Sequence, residues 1–193
     1  DGYYHGVLVL KSLPKATFSG MMSQLTNLDL LDYSITVNIQ ALDVMHEIER
    51  EEGAYEKLQH TIQHSPKLRM VAAMHKKGQK IARLMSNEVL PYKAQFIIRV
   101  WDAQKPGLRA KLAALRGAIS KLNGAQYYDP SLPTSARNYV FASMPGWCWD
   151  KYDDFSHYIE DVNLANLLPV SATPTGDLEK AEALYDGANR NLI

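Results

Sequence analysis

The chain has 193 residues, 46% of them hydrophobic and 22% charged, which is the composition of an ordinary globular protein of one or two domains. This balance excludes an intrinsically disordered tail, a collagen and a disulfide-rich miniprotein. Lys and Arg together number 21, as do Asp and Glu, so the formal net charge is zero and attraction of the whole molecule to nucleic acid or an anionic membrane is not expected. Cys148 is the single cysteine, which makes a disulfide within the chain impossible.

The sequence has no pattern of a membrane span or a signal peptide. No apolar run approaches the roughly 18 residues that cross a bilayer, and the first residues lack a charged start followed by an apolar stretch. The chain begins at Asp1 rather than at a methionine. We therefore expect it to be a piece of a longer protein.

The N-terminal part predicts a strand, a helix and a second strand. Residues 7–13 form a short apolar run that Pro14 ends. Thr17 is a suitable N-cap for a helix, because apolar residues recur after it at spacings of three and four. Residues 33–40 alternate between apolar and polar side chains, as in a strand with one buried face.

Two long amphipathic helices follow and predict a helical hairpin at about 43–89. Asp43 is a suitable N-cap for the first helix. Ser65-Pro66 is typical of the N-cap and first residue of the second helix, which ends before Pro91.

The next segments complete the predicted fold. Residues 92–101 have the strongest strand propensity in the chain, a helix begins at Pro106-Gly107, and residues 125–128 predict a short last strand. Without the hairpin, the order is strand, helix, strand, strand, helix, strand. This order predicts an α+β class with the split βαβ core of a ferredoxin-like fold.

We predict a division of the chain near residue 129. Residues 1–129 would form the ferredoxin-like domain, with the helical hairpin inserted between its second and third strands. Residues 130–193 would form a loop-rich extension, because five prolines interrupt it: Pro130, Pro133, Pro145, Pro169 and Pro174. One helix is predicted in this extension, over about 150–168.

The sequence lacks the patterns of common catalytic and cofactor sites. None of the 11 glycines is followed by lysine, so the G-x-x-x-x-G-K-[ST] loop that binds nucleotide phosphates cannot be written. Asp102 follows an apolar strand, as a magnesium-binding acid does in nucleotide hydrolases, but Arg99 interrupts that strand and we interpret Asp102 as an ordinary strand end. His60 and His64 have a spacing that suits zinc, but no third ligand is positioned by the sequence, so we interpret both as exposed. We predict no catalytic, cofactor or metal residue in this segment.

The predicted hairpin is polarised in charge. Its first helix is rich in acids and its second carries only basic charges. Mutual neutralisation explains this pattern, at a few tenths to about 1 kcal/mol for each exposed pair. A docking surface for an acidic partner or for lipid headgroups also explains it. The residues predicted for docking are the basic side chains of the second helix and a later aromatic cluster: Arg69, Lys76, Lys77, Lys80, Arg83, Trp147, Trp149 and Tyr152.

Two alternatives to a docking role remain open at this point. The basic helices at 66–89 and 106–122 could belong to a nucleic-acid-binding module, although aromatic residues are not interleaved with their charges. A small enzyme could assemble its site from residues distant in sequence, such as Ser143, Asp154 and His157.

Three short motifs spread along the chain carry a family resemblance. They are residues 8–14, LVLKSLP, followed by Thr17, Leu25 and Asp29; residues 137–146, RNYVFASMPG; and residues 167–170, LLPV, followed by Gly176. In this order they resemble the N-terminal domain of the large conjugative-transfer and type IV secretion ATPases, the TraC, TrbE and DotO/IcmB kind. Met144 stands where this family usually has Leu, and Trp147 stands where Asn is common.

The resemblance implies a non-catalytic docking and assembly domain. In such proteins a motor domain that binds ATP and Mg²⁺ would follow residue 193, and no catalytic residue of that motor can be carried over to this chain. The family implies self-association of the full-length protein into a hexamer on the cytoplasmic face of the bacterial inner membrane. Its partners would be other components of the secretion apparatus.

Overall fold

A computed structural model describes residues 2–28, 32–130, 132–146 and 154–169. The described strands are β1 Tyr4–Ser12, β2 Tyr33–Ala41, β3 Pro91–Asp102, β4 Gln126–Tyr128 and β5 His157–Glu160. The described helices are α1 Ser23–Thr26, α2 Val44–His64, α3 Leu68–Met85, α4 Lys105–Lys121, α5 Pro133–Ala142 and α6 Asp161–Asn166. The predicted α+β class is confirmed, because these elements form a five-stranded antiparallel sheet with helices packed against it.

The strand β3 is the centre of the sheet. Its twelve residues are rich in β-branched and aromatic side chains, which suit a strand covered on both faces. On one side β3 pairs with the whole of β2. On the other side residues 97–102 of β3 pair with β1, and residues 91–94 pair with β5. β4 adds to the far edge of β1.

The strand order β2-β3-β1-β4 places β3 between two strands that run parallel to each other. β1 and β2 are both antiparallel to β3, and the connection between them passes through α1. A βαβ unit opened by an inserted strand has this arrangement. It agrees with the predicted split βαβ core, while membership of the ferredoxin-like fold stays a prediction.

Alternation along the strands gives the sheet two apolar faces. Leu8, Leu10 and Phe96 point to the face that α1 and α4 cover, where the larger cluster of buried side chains lies. Val7 and Ile97 point to the opposite face, where Tyr139 of α5 packs on them. Burial of each large apolar side chain in this way stabilises the folded state by about 1.5–3 kcal/mol.

The helix predicted to begin at Thr17 is much shorter in the structure. Gly20 has a φ of +79°, in the left-handed region that a helix does not use, so α1 begins only at Ser23. The Thr17 hydroxyl caps no helix and instead donates to Asn163 Oδ1 at 2.7 Å. The prediction of an N-cap at Thr17 is therefore wrong.

The junction of the hairpin also differs from its prediction. The N-cap of α3 is Lys67 rather than Ser65, and α3 begins at Leu68. Ser65 instead ends α2, where its N–H donates to the carbonyl of Thr61 at 2.9 Å. The two predicted helices of the hairpin are confirmed.

The prediction of one helix over about 150–168 is wrong in the part of it that the structure describes. Residues 157–160 form the strand β5, and the helix that follows covers only Asp161–Asn166. A helix that was not predicted, α5, begins at Pro133. Proline suits the first helical position, because its missing N–H would have no partner there. The division of the chain near residue 129 stays a prediction.

Candidate functional site

The helical hairpin α2–α3 stands on a small apolar base. Asp43 Oδ1 accepts from the His46 N–H at 2.8 Å, which confirms the predicted N-cap of α2. Ile48, Leu84 and Val89 form the buried cluster at the base. Above it α2 and α3 pack mainly against each other. At 1.5 Å per residue the hairpin is about 30 Å long.

An ion-pair network joins the two helices just above this base. Glu47 and Glu51 of α2 are only 2% and 6% exposed. Lys80 of α3 donates to Glu47 Oε1 at 3.1 Å and to Glu51 Oε1 at 2.9 Å. Lys77 also pairs with Glu51, and Arg50 pairs with both glutamates. Mutual neutralisation therefore accounts for these charges of the hairpin.

The network favours the ionised form of Glu51 despite its burial. Burial raises the pKa of Glu51, but hydrogen bonds from Lys77 and Lys80 outweigh it, so the pKa of Glu51 lies below its ordinary value. Burial likewise lowers the pKa of Arg50, and the bonds to Glu47 reverse that effect and raise it. The Arg50 guanidinium also lies 3.6 Å from the ring centre of Tyr158, which ties the hairpin to β5.

The predicted basic docking residues divide into two groups. Lys77 and Lys80 belong to the network, and Arg83 donates to Glu160 Oε2 at 2.8 Å. Arg69 and Lys76 are exposed and form no ion pair within the described part of the chain. Docking through this basic side stays a prediction, and only the second group could serve it without breaking internal ion pairs. Trp147, Trp149 and Tyr152 lie outside the described residues.

The second predicted basic helix is also partly neutralised. Lys111 of α4 lies 3.0 Å from Asp102 and 3.3 Å from Asp32, and Arg116 pairs with Asp129. Arg109 and Lys121 are exposed. The nucleic-acid alternative was not tested by any of these contacts and stays a prediction. Asp102 Oδ1 accepts from the Gln104 N–H at 2.8 Å, which agrees with its interpretation as a strand end.

One side of the hairpin carries a groove that the sequence analysis missed. Two clefts of about 450 and 400 Å³ share Tyr55 of α2 and Gly78 of α3. We call their union the hairpin groove. It is lined further by acidic, amide and apolar side chains: Glu52, Glu56, Gln59, Ile81, Val71, Met74, His75, Gln79 and Ala82.

Two helices alone cannot cover all of their apolar positions, which is why the groove exists. Val71 lines one of the two clefts and is 41% exposed. Gly78 leaves room for Tyr55, whose Cε2 would lie 3.5 Å from a Cβ at that position. A glycine inside an amphipathic helix was the available signal, because this residue costs helix stability unless packing or function requires it.

The remaining residues singled out by sequence do not form a reactive cluster. Ser143 Oγ donates to the Val140 carbonyl at 2.7 Å, and His157 Nε2 lies 2.9 Å from the Leu10 carbonyl oxygen. Neither side chain bonds to Asp154. The His60 and His64 rings are 4.8 Å apart, and within the described ranges no three His, Cys, Asp or Glu side chains are grouped as a metal site.

None of the helices that the structure describes has the length and apolar character needed to cross a bilayer. Comparisons of the sequence with protein-family models and with curated proteins give no match. The resemblance to secretion ATPases therefore rests on the three sequence motifs alone.

Proposed function

We propose that this chain is a docking and assembly domain that binds a helical segment of a protein partner in the hairpin groove. The observation that carries the proposal is the groove itself, which has apolar side chains along α3 and acidic side chains on its α2 border. The proposal keeps the docking role that the resemblance implies and changes the docking surface.

The charges on the two sides of the hairpin favour the groove over the basic side. Most of the predicted basic docking residues already neutralise internal acids, so their use in binding would cost the energy of buried pairs. Glu52 and Glu56 border the groove, are exposed, and form no ion pair within the described residues. A partner segment that meets them must be basic to be attracted.

The shape of the groove suits an amphipathic helix. One of its clefts lies between α2 and α3. In the other, Val71, Met74 and Ala82 form an apolar row along successive turns of α3. An amphipathic partner helix places apolar side chains at i, i+3, i+4 and i+7, which matches such a row of turns. Tyr55 at the centre has the size and polarity of a typical interface anchor.

The wider setting of this domain follows from the resemblance alone. We propose that the parent protein is a conjugation or type IV secretion ATPase, with ATP and Mg²⁺ bound in a separate motor domain. The chain would then lie at the cytoplasmic face of the bacterial inner membrane, among the other components of the apparatus. The parent gene tests this part: a G-x-x-x-x-G-K-[ST] loop encoded after residue 193 is expected, and its absence from the gene would contradict the assignment.

Peptide binding to the purified chain tests the groove. The probe is a synthetic amphipathic helix with leucines at i, i+3, i+4 and i+7 and lysines beside them. The control peptide is the same helix with glutamates in place of the lysines. We expect the lysine peptide to bind more tightly in fluorescence anisotropy. Gly78→Leu should weaken this binding about tenfold, because the new side chain occupies the junction of the two clefts, a loss of about 1.4 kcal/mol.

The chain offers matched controls for this experiment. Gly53→Leu places the same side chain on α2 where a Cβ meets no atom within 4 Å, so binding should be unchanged. Arg69→Glu with Lys76→Glu reverses the exposed basic side and should also leave binding unchanged. Equal binding of the two peptides, or loss of binding only in the Arg69 and Lys76 variant, would contradict the groove.

A further inference from the structure

The sheet ends in two very different edges. On one side β4 has three residues, and the pairing of β1 with it shifts register between Leu10 and Ser12. On the other side β2 has nine residues, and β3 is the only described strand with which it pairs. A short or irregular edge strand resists pairing with foreign strands, whereas a long regular one invites it.

The strand β2 carries no edge protection in its own residues. Its sequence, YSITVNIQA, contains no charge, no proline and no glycine, and its pairing with β3 keeps one register from end to end. None of its residues is fully buried, and Ile39 is 44% exposed. Proteins usually place a lysine, a proline or a bulge on such an edge. The absence of these features from β2 is expected if another strand covers it.

The outward backbone groups of β2 belong to its odd-numbered residues. The Trp101 N–H donates to the Asp32 carbonyl, and the Leu42 N–H donates to the Pro91 carbonyl. Along an antiparallel strand, the backbone N–H and C=O groups of successive residues point alternately to the neighbouring strand on one side and to the other side. The even-numbered residues of β2 therefore bond to β3, and the N–H and C=O groups of Ile35, Val37 and Ile39 point away from the sheet.

We infer that the β2 edge pairs with the β2 edge of a second copy of this chain, antiparallel about a two-fold axis at Val37. In this register Val37 faces Val37 and Ile35 faces Ile39 of the second copy, so odd residues meet odd residues and every outward group meets a complementary one. On the other face Ser34 meets Gln40 and Thr36 meets Asn38 of the second copy. The pairing is independent of the hairpin groove.

Charges do not oppose this pairing. β2 itself is uncharged. Just beyond it, Asp32 would lie opposite Leu42 of the second copy, so like charges do not meet. The pairing joins apolar side chains on one face and polar side chains on the other, which are the cross-strand combinations that stabilise antiparallel sheets. A self-complementary surface of this kind closes as a dimer and does not extend further.

The oligomeric state of the purified full chain tests the inference. Light scattering after size exclusion should give twice the monomer mass of 21.7 kDa as concentration rises. Ile39→Pro removes one outward N–H and should shift the chain to the monomer, because proline on an edge strand disturbs only the outer partner. Ile39→Thr keeps that N–H and should remain dimeric. A wild-type chain that stays monomeric at all concentrations would overturn the inference.

Cross-linking tests the register even if the proline variant fails to fold. In a Cys148→Ser background, Val37→Cys should form a disulfide-linked dimer on mild oxidation, because facing residues of paired strands lie within disulfide range. Ile39→Cys is the control: its position is more exposed, yet it faces Ile35 of the second copy. Cross-linking at least severalfold faster for Val37→Cys is expected. Equal rates, or faster cross-linking of Ile39→Cys, would overturn the pairing.

Discussion

Two polar side chains of the sheet, those of Gln95 and Asn38, hold Asp154 and Ala142 against it. Gln95 is fully buried, its Oε1 accepts from Asn38 Nδ2 at 3.1 Å, and its Nε2 donates to the Asp154 carbonyl at 2.9 Å. Asn38 Nδ2 also lies 3.1 Å from the Ala142 carbonyl oxygen. A buried amide left without partners would cost about 1–3 kcal/mol, so these bonds specify where Ala142 and Asp154 meet the strands.

Tyr139 predicts a loss of stability in alkali. Burial raises the pKa of Tyr139 from 10.0 to about 12, and the charges of Asp154 and Tyr128 add to this effect. The folded state thus favours the neutral phenol. Its contribution is complete below pH 10 and is lost as the pH rises towards 12. At pH 7, urea unfolding should give Tyr139→Phe the same free energy of unfolding as wild type. Between pH 10 and 12, the variant should lose about 2–3 kcal/mol less of this free energy than wild type does.

The control for this residue is Tyr3→Phe, which changes an exposed phenol. It should follow the wild-type curve at every pH. If Tyr139→Phe loses stability in alkali to the same extent as wild type, the buried phenol is not the cause.

At the scale of elements, the hairpin should be sensitive to acid through Glu51. The pKa of Glu51 is lower in the folded chain than its ordinary value of 4.5, so its contribution is present above that pH and is lost as pH falls through the folded pKa. Glu51→Gln removes the charge that Lys77 and Lys80 share and should cost about 1–3 kcal/mol at pH 7. Urea unfolding followed by circular dichroism at pH 7 and from pH 4.5 downward measures both effects.

Glu52→Gln is the matched change, since Glu52 is the next residue, exposed and outside the network. It should leave stability at pH 7 unchanged. A Glu51→Gln variant as stable as Glu52→Gln would show that the network contributes nothing net.

Sequence predicts well the elements whose structure follows from a pattern within their own residues, rather than from contacts with distant parts of the chain. The hairpin helices and β3 follow from periodicity, and Asp43 follows from its capping oxygen. β5 is different, because four residues become a strand only by pairing with residues 91–94 of β3. The hairpin groove was missed for a similar reason: whether Val71 is covered depends on which side of α3 meets α2, and periodicity alone does not determine that.

At the scale of the whole molecule, balanced charge predicts poor binding to DNA. The net charge is zero, and Lys77, Lys80 and Lys111 are held in ion pairs. We expect fluorescence anisotropy with a short duplex to show no binding at 0.15 M salt and weak binding at low salt. Tight binding that falls steeply with salt, and that Arg109→Glu with Lys121→Glu abolishes, would instead support the nucleic-acid alternative.

β1 and β5 pair with different parts of the same side of β3, and this has a consequence for the nascent chain on the ribosome. β1 is already synthesised when β3 emerges, so residues 97–102 can pair at once. Residues 91–94 must wait for their partners in β5, which lie 63 to 69 residues further along the chain (157 − 94 and 160 − 91). At about 5–20 residues per second, this delay lasts about 3–14 s. During that time the start of the central strand is unpaired on one side, and a chaperone that covers exposed strand edges would act on this protein before residues 157–160 emerge.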